Sequence, residues 1–288
     1  MIIKLRNGAI KDSGPGQDKM LKALYGRPLG RMMLKPLLGP TVSKLAGKVL
    51  DSKLSKPLIR SFVKNNEIDL SQYEAEEYPS FNDFFSRHIK PEARPVDMDP
   101  SHLISPADSK LSVLPITPDA RFVIKDTPYT VASLLQDKTL AESFSSGQLL
   151  IFRLSVEDYH RYHYPVSGRR DPFVHIPGKL HTVNPIANDY YPIYKENTRE
   201  YCTIHSQEFG DMVMMEVGAL LVGKIVNHTG CRRVKRGQEK GYFQYGGSTV
   251  VVLLKQDAAV IDPDILENSR QGFETVVKYG EKIGQKPQ

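Results

Sequence analysis

Residues 241–255 read GYFQYGGSTVVVLLK. From 249 to 254 the run is β-branched or leucine with no charge, which is the pattern of a buried strand. The Gly246-Gly247-Ser248-Thr249 step at its head marks a tight turn, since glycine takes backbone conformations that other residues avoid. Ser248 therefore stands where a turn hands over to a strand. It is either turn punctuation or a reacting hydroxyl, and the rest of the chain has to decide which.

Working outward, other short apolar runs between turn residues predict strands at 111–116, 147–154, 173–176, 211–226 and 249–260. With 21 Gly and 20 Pro in 288 residues, many turns and short strands are expected. The N-terminal part differs. From 19 to 66 apolar residues recur at helical spacing, as in Leu21, Leu24 and Tyr25 or Leu45 and Val49, cut into short pieces by Gly26, Pro28, Gly39 and Pro40. YPSFNDFFSRHIKPEARPVD (78–97) reads as a short aromatic helix ended by two prolines. The expected fold is α+β: a mainly antiparallel β body (98–288) with an N-terminal amphipathic helical, membrane-associating portion (1–97), the two continuous with each other.

Net charge is +6, and its distribution is uneven. Between Asp18 and Lys64 eleven Lys and Arg face only two Asp, so this stretch suits an anionic surface. No run of about 18 apolar residues is present to span a bilayer. The helical pieces would instead lie on a membrane through apolar insertion and electrostatic attraction, or pack on the body with their charges in water. The two cysteines, Cys202 and Cys231, are too few for a disulfide framework and are not spaced as a metal knuckle.

Three stretches carry residue types that do chemistry. ISPADSK (104–110) places Asp108 in a proline-containing turn, VEDYHRYHYPVSG (156–168) places His160 and His163 three apart, and YGGSTV supplies Ser248. Asp, His and Ser together can activate a hydroxyl: His takes the proton, and Asp orients and stabilises the imidazolium. The surroundings of Ser248 are not a G-x-S-x-G nucleophile elbow, which turns from strand into helix rather than from turn into strand. An ordinary serine hydrolase is thus poorly supported.

These three stretches, with FNDFFSRHIKPEARPVD (81–97), VGALLVGKIV (217–226), RGQEKGYFQYGGSTV (236–250) and ENSRQGFETVVKYGEKIG (267–284), resemble the phosphatidylserine decarboxylase family in order and spacing from about residue 79 to 284. The resemblance implies a self-cleaving, pyruvoyl-dependent carboxy-lyase. Ser248 Oγ would attack the Gly247 carbonyl, converting amide to ester. Elimination would leave dehydroalanine, and hydrolysis would turn this into a pyruvoyl group, the covalent cofactor formed from Ser248, with no metal required. The products would be a large chain (1–247) and a small chain (248–288), paired as a heterodimer and assembling further as a homodimer of these.

The family's catalytic Asp, His and Ser map onto Asp108, His163 and Ser248, with Asp108 fixing the tautomer of His163, while His160 would serve the decarboxylation. If 158–163 forms a helical turn, the two imidazoles share one side. Phosphatidylserine in an anionic membrane would then be decarboxylated through a Schiff base to phosphatidylethanolamine, by a peripheral protein on the cytoplasmic face of the cell membrane if bacterial, with no nucleic acid as partner. Two departures from the commonest bacterial pattern, Gly246 for Leu and Ser109 for Gly, remove no reacting atom. The GGST form also occurs in relatives acting on soluble aromatic amino acids, which is the alternative substrate class. A non-catalytic membrane-binding β protein, in which Ser248 is only a turn residue, is the alternative of another class.

Overall fold

The structure, a computed structural model of the single chain, describes residues 2–12, 45, 47–124, 127–181, 192–219, 224–244 and 248–287. Its frame is an eleven-stranded sheet. Across the sheet the order is Arg233–Val234, Gly168–Arg170, Arg199–Ser206, Gly210–Val217, Ser248–Leu254, Gln148–Leu154, Ser109–Pro115, Glu274–Val277, Ile2–Lys4 and Ile10–Asp12, with Val174–Ile176 also paired to Arg199–Ser206. Pairing is antiparallel except between Ile2–Lys4 and Glu274–Val277. The α+β class with mainly antiparallel sheets is as expected.

Ser248–Leu254 occupies the middle of this sheet, hydrogen-bonded to Gly210–Val217 on one side and Gln148–Leu154 on the other. All seven of its residues are buried, which is why its sequence runs apolar rather than alternating. Alternation governs instead which core each side chain enters. Val250, Val252 and Leu254 join one apolar cluster with Phe152, Tyr162 and Phe243. Val251 and Leu253 join a second with Phe122, Leu134 and Phe144. The first face is covered by a three-stranded cap sheet of Ile225–Asn227, Glu239–Phe243 and Arg161–His163. The second lies under the Arg121–Ile124 and Thr127–Thr130 hairpin and the short helices Val131–Leu135 and Lys138–Glu142.

Several expectations are corrected. The run predicted at 211–226 is two strands, Gly210–Val217 in the main sheet and Ile225–Asn227 in the cap. That at 249–260 stops at Leu254, where Lys255 leads into a turn with Asp257 at φ 56°. Nothing in the pattern announced the first strands, Ile2–Lys4 and Ile10–Asp12, which extend the sheet beyond Glu274–Val277. Of the expected amphipathic pieces, 13–44 and residue 46 lie outside the described residues. The rest forms a helical turn up to Leu50, the 3-10 turn Lys53–Ser55 and the helix Lys56–Asn65. The aromatic helix is present as Phe81–Phe85, its N-terminus capped by the Ser80 hydroxyl, which accepts from the Asp83 amide at 3.2 Å. Phe81, Phe84 and Phe85 bury themselves against Ile59, Phe62 and Tyr78.

One glycine in the cap sheet is required by close approach. A Cβ at Gly241 would fall on the carbonyl oxygen of Val226 and against the Tyr162 hydroxyl. Gly241→Ala should therefore force the cap's own strands apart, since Val226 and Tyr162 lie on the two strands that flank Gly241. The expected loss is about 2 kcal/mol or more, of the size typical for overpacking, read as a lowered midpoint in denaturant unfolding.

Candidate active site

Ser248 is fully buried as the first residue of the central strand, paired across the ladder with Leu154. A hydroxyl out of water needs a partner. Its Oγ lies 3.2 Å from Nδ1 of His160, also fully buried. The other ring nitrogen, Nε2, is 2.9 Å from the Ser155 carbonyl oxygen. A carbonyl only accepts, so Nε2 carries the proton and Nδ1 turns its lone pair to Ser248, whose hydroxyl donates. This is the tautomer a proton acceptor needs. Burial, reinforced by the nearby Arg87 charge, lowers the His160 pKa to about 3 and keeps the ring neutral.

The turn holding His160 is itself fixed. The Ser155 amide donates to Asp158 Oδ2 at 2.7 Å, and the Asp158 amide donates to the Ser155 carbonyl at 2.9 Å. Lys110 Nζ reaches Asp158 at 2.6 Å and Glu157 at 2.9 Å. Phe85 packs against the His160 ring with centroids 4.0 Å apart and planes 30° apart.

His163 belongs to a neighbouring arrangement. It lies in the strand Arg161–His163, not in a helical turn with His160, so the i, i+3 expectation fails: the chain passes from a turn into extended backbone between the two residues. Its ring stacks on Tyr279 at 3.6 Å, and Nδ1 is 3.4 Å from the Pro106 carbonyl. Burial lowers its pKa to about 4.

Asp108 is almost fully buried and accepts from Arg94 Nη2 at 2.6 Å, from the Tyr279 amide at 2.8 Å and from Lys278 Nζ at 3.4 Å. Burial alone would raise its pKa, but the Arg94 bonds and the Lys278 charge hold it below the usual carboxylate value. The expected hydrogen bond that would fix the His163 tautomer is not what these contacts provide. Asp108 instead ties down the 278–279 segment whose Tyr279 ring covers His163.

The four expected side chains thus fall into two groups. Ser248 and His160 make direct contact, whereas Asp108 and His163 are linked through Tyr279. Gly247 lies outside the described residues. Sequence reading missed Phe85, Arg87, Arg94, Ser155 and Tyr279 as parts of this surround. Phe85, Arg87 and Arg94 all stand in the 81–97 segment, and their placement beside two catalytic-type residues from later in the chain is long-range. Both cysteines are free, Cys202 buried and Cys231 exposed.

Comparison with known proteins gives one consistent result. The family model described as phosphatidylserine decarboxylase matches residues 81–285. A protein of Clostridium acetobutylicum named phosphatidylserine decarboxylase proenzyme 2 is 47% identical over 270 residues, 93% of this chain and 92% of that one. Proteins named phosphatidylserine decarboxylase proenzyme are 40% identical in Clostridium perfringens, over 99% of this chain and 100% of the relative, and 38% identical in Fusobacterium nucleatum, over 98% and 96%.

The depressed imidazoles predict a pH dependence of stability. In the unfolded chain each ring binds a proton below its ordinary pKa of 6.5, whereas folded His160 stays neutral to about 3 and His163 to about 4. Their contribution is complete above pH 6.5 and is lost as pH falls towards those folded values, at about 1.4 kcal/mol per pH unit per ring. Unfolding free energies of Ser248→Ala protein, measured from pH 7 to pH 4.5, should fall with that sign. The same protein should show a His160 15N signal of an Nε2–H neutral ring that does not titrate between pH 5 and 8.

Proposed function

The chain belongs to the phosphatidylserine decarboxylase family, and from that premise we propose how its residues carry the reaction. It is a precursor that cuts itself between Gly247 and Ser248 and then decarboxylates phosphatidylserine to phosphatidylethanolamine. The observation that carries this reading is the contact of the Ser248 hydroxyl with the lone pair of a neutral, buried imidazole.

In the cutting stage Ser248 Oγ attacks the Gly247 carbonyl, and its proton passes to an imidazole. The acyl group moves from nitrogen to oxygen, and elimination frees the large chain as a carboxylate. The position of Ser248 fits the group expected to form there: its strand is held on both edges, and His160 stands next to it.

The pyruvoyl group supplies an electron sink for the electrons left when carbon dioxide departs from the substrate. The chain's own part is to exclude water with the cap sheet and Phe85, and to hold or deliver a proton at His160 Nδ1. The Asp108, Lys278 and Tyr279 contacts keep the second imidazole, His163, in place.

Phosphatidylserine rather than a soluble amine is favoured by the surface of the helical segment. Leu45, Val49, Leu54 and Leu58 are exposed there beside the exposed Lys48, Lys53, Lys56, Arg60 and Lys64. Such a face suits an anionic bilayer and peripheral attachment. No helix among the described residues is long and apolar enough to cross one.

Purified protein should resolve into two chains, the smaller having the mass of residues 248–288 with a pyruvoyl end, and Ser248→Ala should remain a single chain. An uncut wild-type chain without a carbonyl would overturn the reading. His160→Ala should lose turnover by about 100-fold or more. The cutting proton has two candidate acceptors, separated by one gel: slowed cutting in His160→Ala assigns it to the imidazole on Ser248, and slowed cutting in His163→Ala alone assigns it to His163. Flotation with phosphatidylserine-containing liposomes should carry the protein upward. Failure to float, together with release of carbon dioxide from free aromatic amino acids, would replace the lipid by the soluble substrate class.

A further inference from the structure

The guanidinium of Arg87 is 1% exposed, yet among the described residues it meets no carboxylate. Leaving such a charge in the interior without a counter-ion is costly. Its hydrogen bonds go to neutral oxygens. Nη2 donates to the Tyr73 hydroxyl at 3.1 Å, the Glu157 carbonyl at 3.3 Å and the Asp158 carbonyl at 3.4 Å, while Nη1 donates to the Phe84 carbonyl at 3.3 Å. The faces of Tyr73 and Phe84 flank it, with its central carbon 4.3 and 4.7 Å from their centroids. Nε is buried with no partner.

Two of those bonds grip the backbone of the 155–158 turn, and that turn supplies the Ser155 carbonyl that holds His160 Nε2–H. Two residues earlier in the same segment, Phe85 lies against the face of the same imidazole. One stretch, 85–87, therefore controls both degrees of freedom of the ring: its plane, through Phe85, and its tautomer, through the turn that Arg87 clamps.

We propose that Phe85 and Arg87 are positioning residues for His160, holding its Nδ1 lone pair on Ser248 before cutting and on the same place during turnover. The inference rests on the function proposed above and adds to it the residues that aim the imidazole. The charged groups around that ring are Arg87, Glu157, Lys110 and Asp158. Of these, Lys110 is already matched by Asp158 and Glu157, so Arg87 is the cation whose removal changes the field most.

The test uses Phe85→Leu, Arg87→Lys and Arg87→Met in the full chain. In uncut Ser248→Ala protein the 15N spectrum of His160 should change from a single Nε2–H form to an average of both tautomers in Phe85→Leu and Arg87→Met. In chains that retain Ser248, kcat on phosphatidylserine in mixed micelles should fall about tenfold or more, with KM held within about twofold, and the cutting rate should fall with it where the His160→Ala gel assigns the cutting proton to His160. The acid limb of kcat in Arg87→Met should move to higher pH by about one unit, because a repelling charge has gone. Should Arg87→Met not fold, Phe85→Leu and Arg87→Lys, which keep bulk or charge, decide the matter. Folded variants with an unchanged tautomer and wild-type kcat overturn the inference, whereas a wild-type chain that never cuts overturns the functional reading instead.

Discussion

A hydroxyl taken wholly out of water and given one lone pair to bond is the constraint on which this molecule is built. Ser248 has no solvent to fall back on, so its orientation is set by His160, and that of His160 by the Ser155 carbonyl. The frame can hold such an arrangement because the strand beginning at Ser248 is the middle of the sheet. Its apolar side chains enter both cores, each contributing about 2 kcal/mol of burial, and its backbone is bonded on both edges. A serine at a sheet edge or in an open loop would turn to water instead.

Charge is handled in two different ways around this centre. Arg153 with Glu274, Lys240 with Glu216 and Lys110 with Asp158 are buried as pairs, so each offsets its partner's field. Asp108 is likewise neutralised, by Arg94 and Lys278. Arg87 is not. Its charge acts on His160 in the same direction as burial, keeping the imidazole neutral. Residue types in the sequence cannot distinguish a matched cation from an unmatched one, because the matching partners come from distant strands.

What the sequence made legible follows from how local the signal is. The continuous apolar run after Ser248 declares a strand buried on both faces, and the aromatic residues ahead of Pro91 and Pro95 declare a short helix, whose Ser80 cap only the structure shows. The residue types of the site were visible too, since Asp108, the two histidines and Ser248 stand in recognisable stretches. Which histidine meets Ser248 was not visible. A spacing of three puts two side chains together only on a helix, and here a turn gives way to a strand between them. The first twelve residues were silent for a related reason. Their strands are three residues long, and the one that joins them to the sheet, Ile2–Lys4, pairs with the distant Glu274–Val277.

That N-terminal hairpin has a bearing on what happens once the chain is divided. Ile3 and Lys4 pair with Glu274 and Thr275, and Arg6 forms ion pairs with Asp262, Asp264 and Glu281, all of them downstream of Ser248. The downstream fragment would also keep its central strand inserted between two upstream strands. Scission therefore gives a nicked protein rather than a released peptide: the fragment is laced into the sheet's middle and fastened at its rim, so departure would require unfolding the whole β body. The covalent break is chemically irreversible, yet mechanically it goes almost unnoticed.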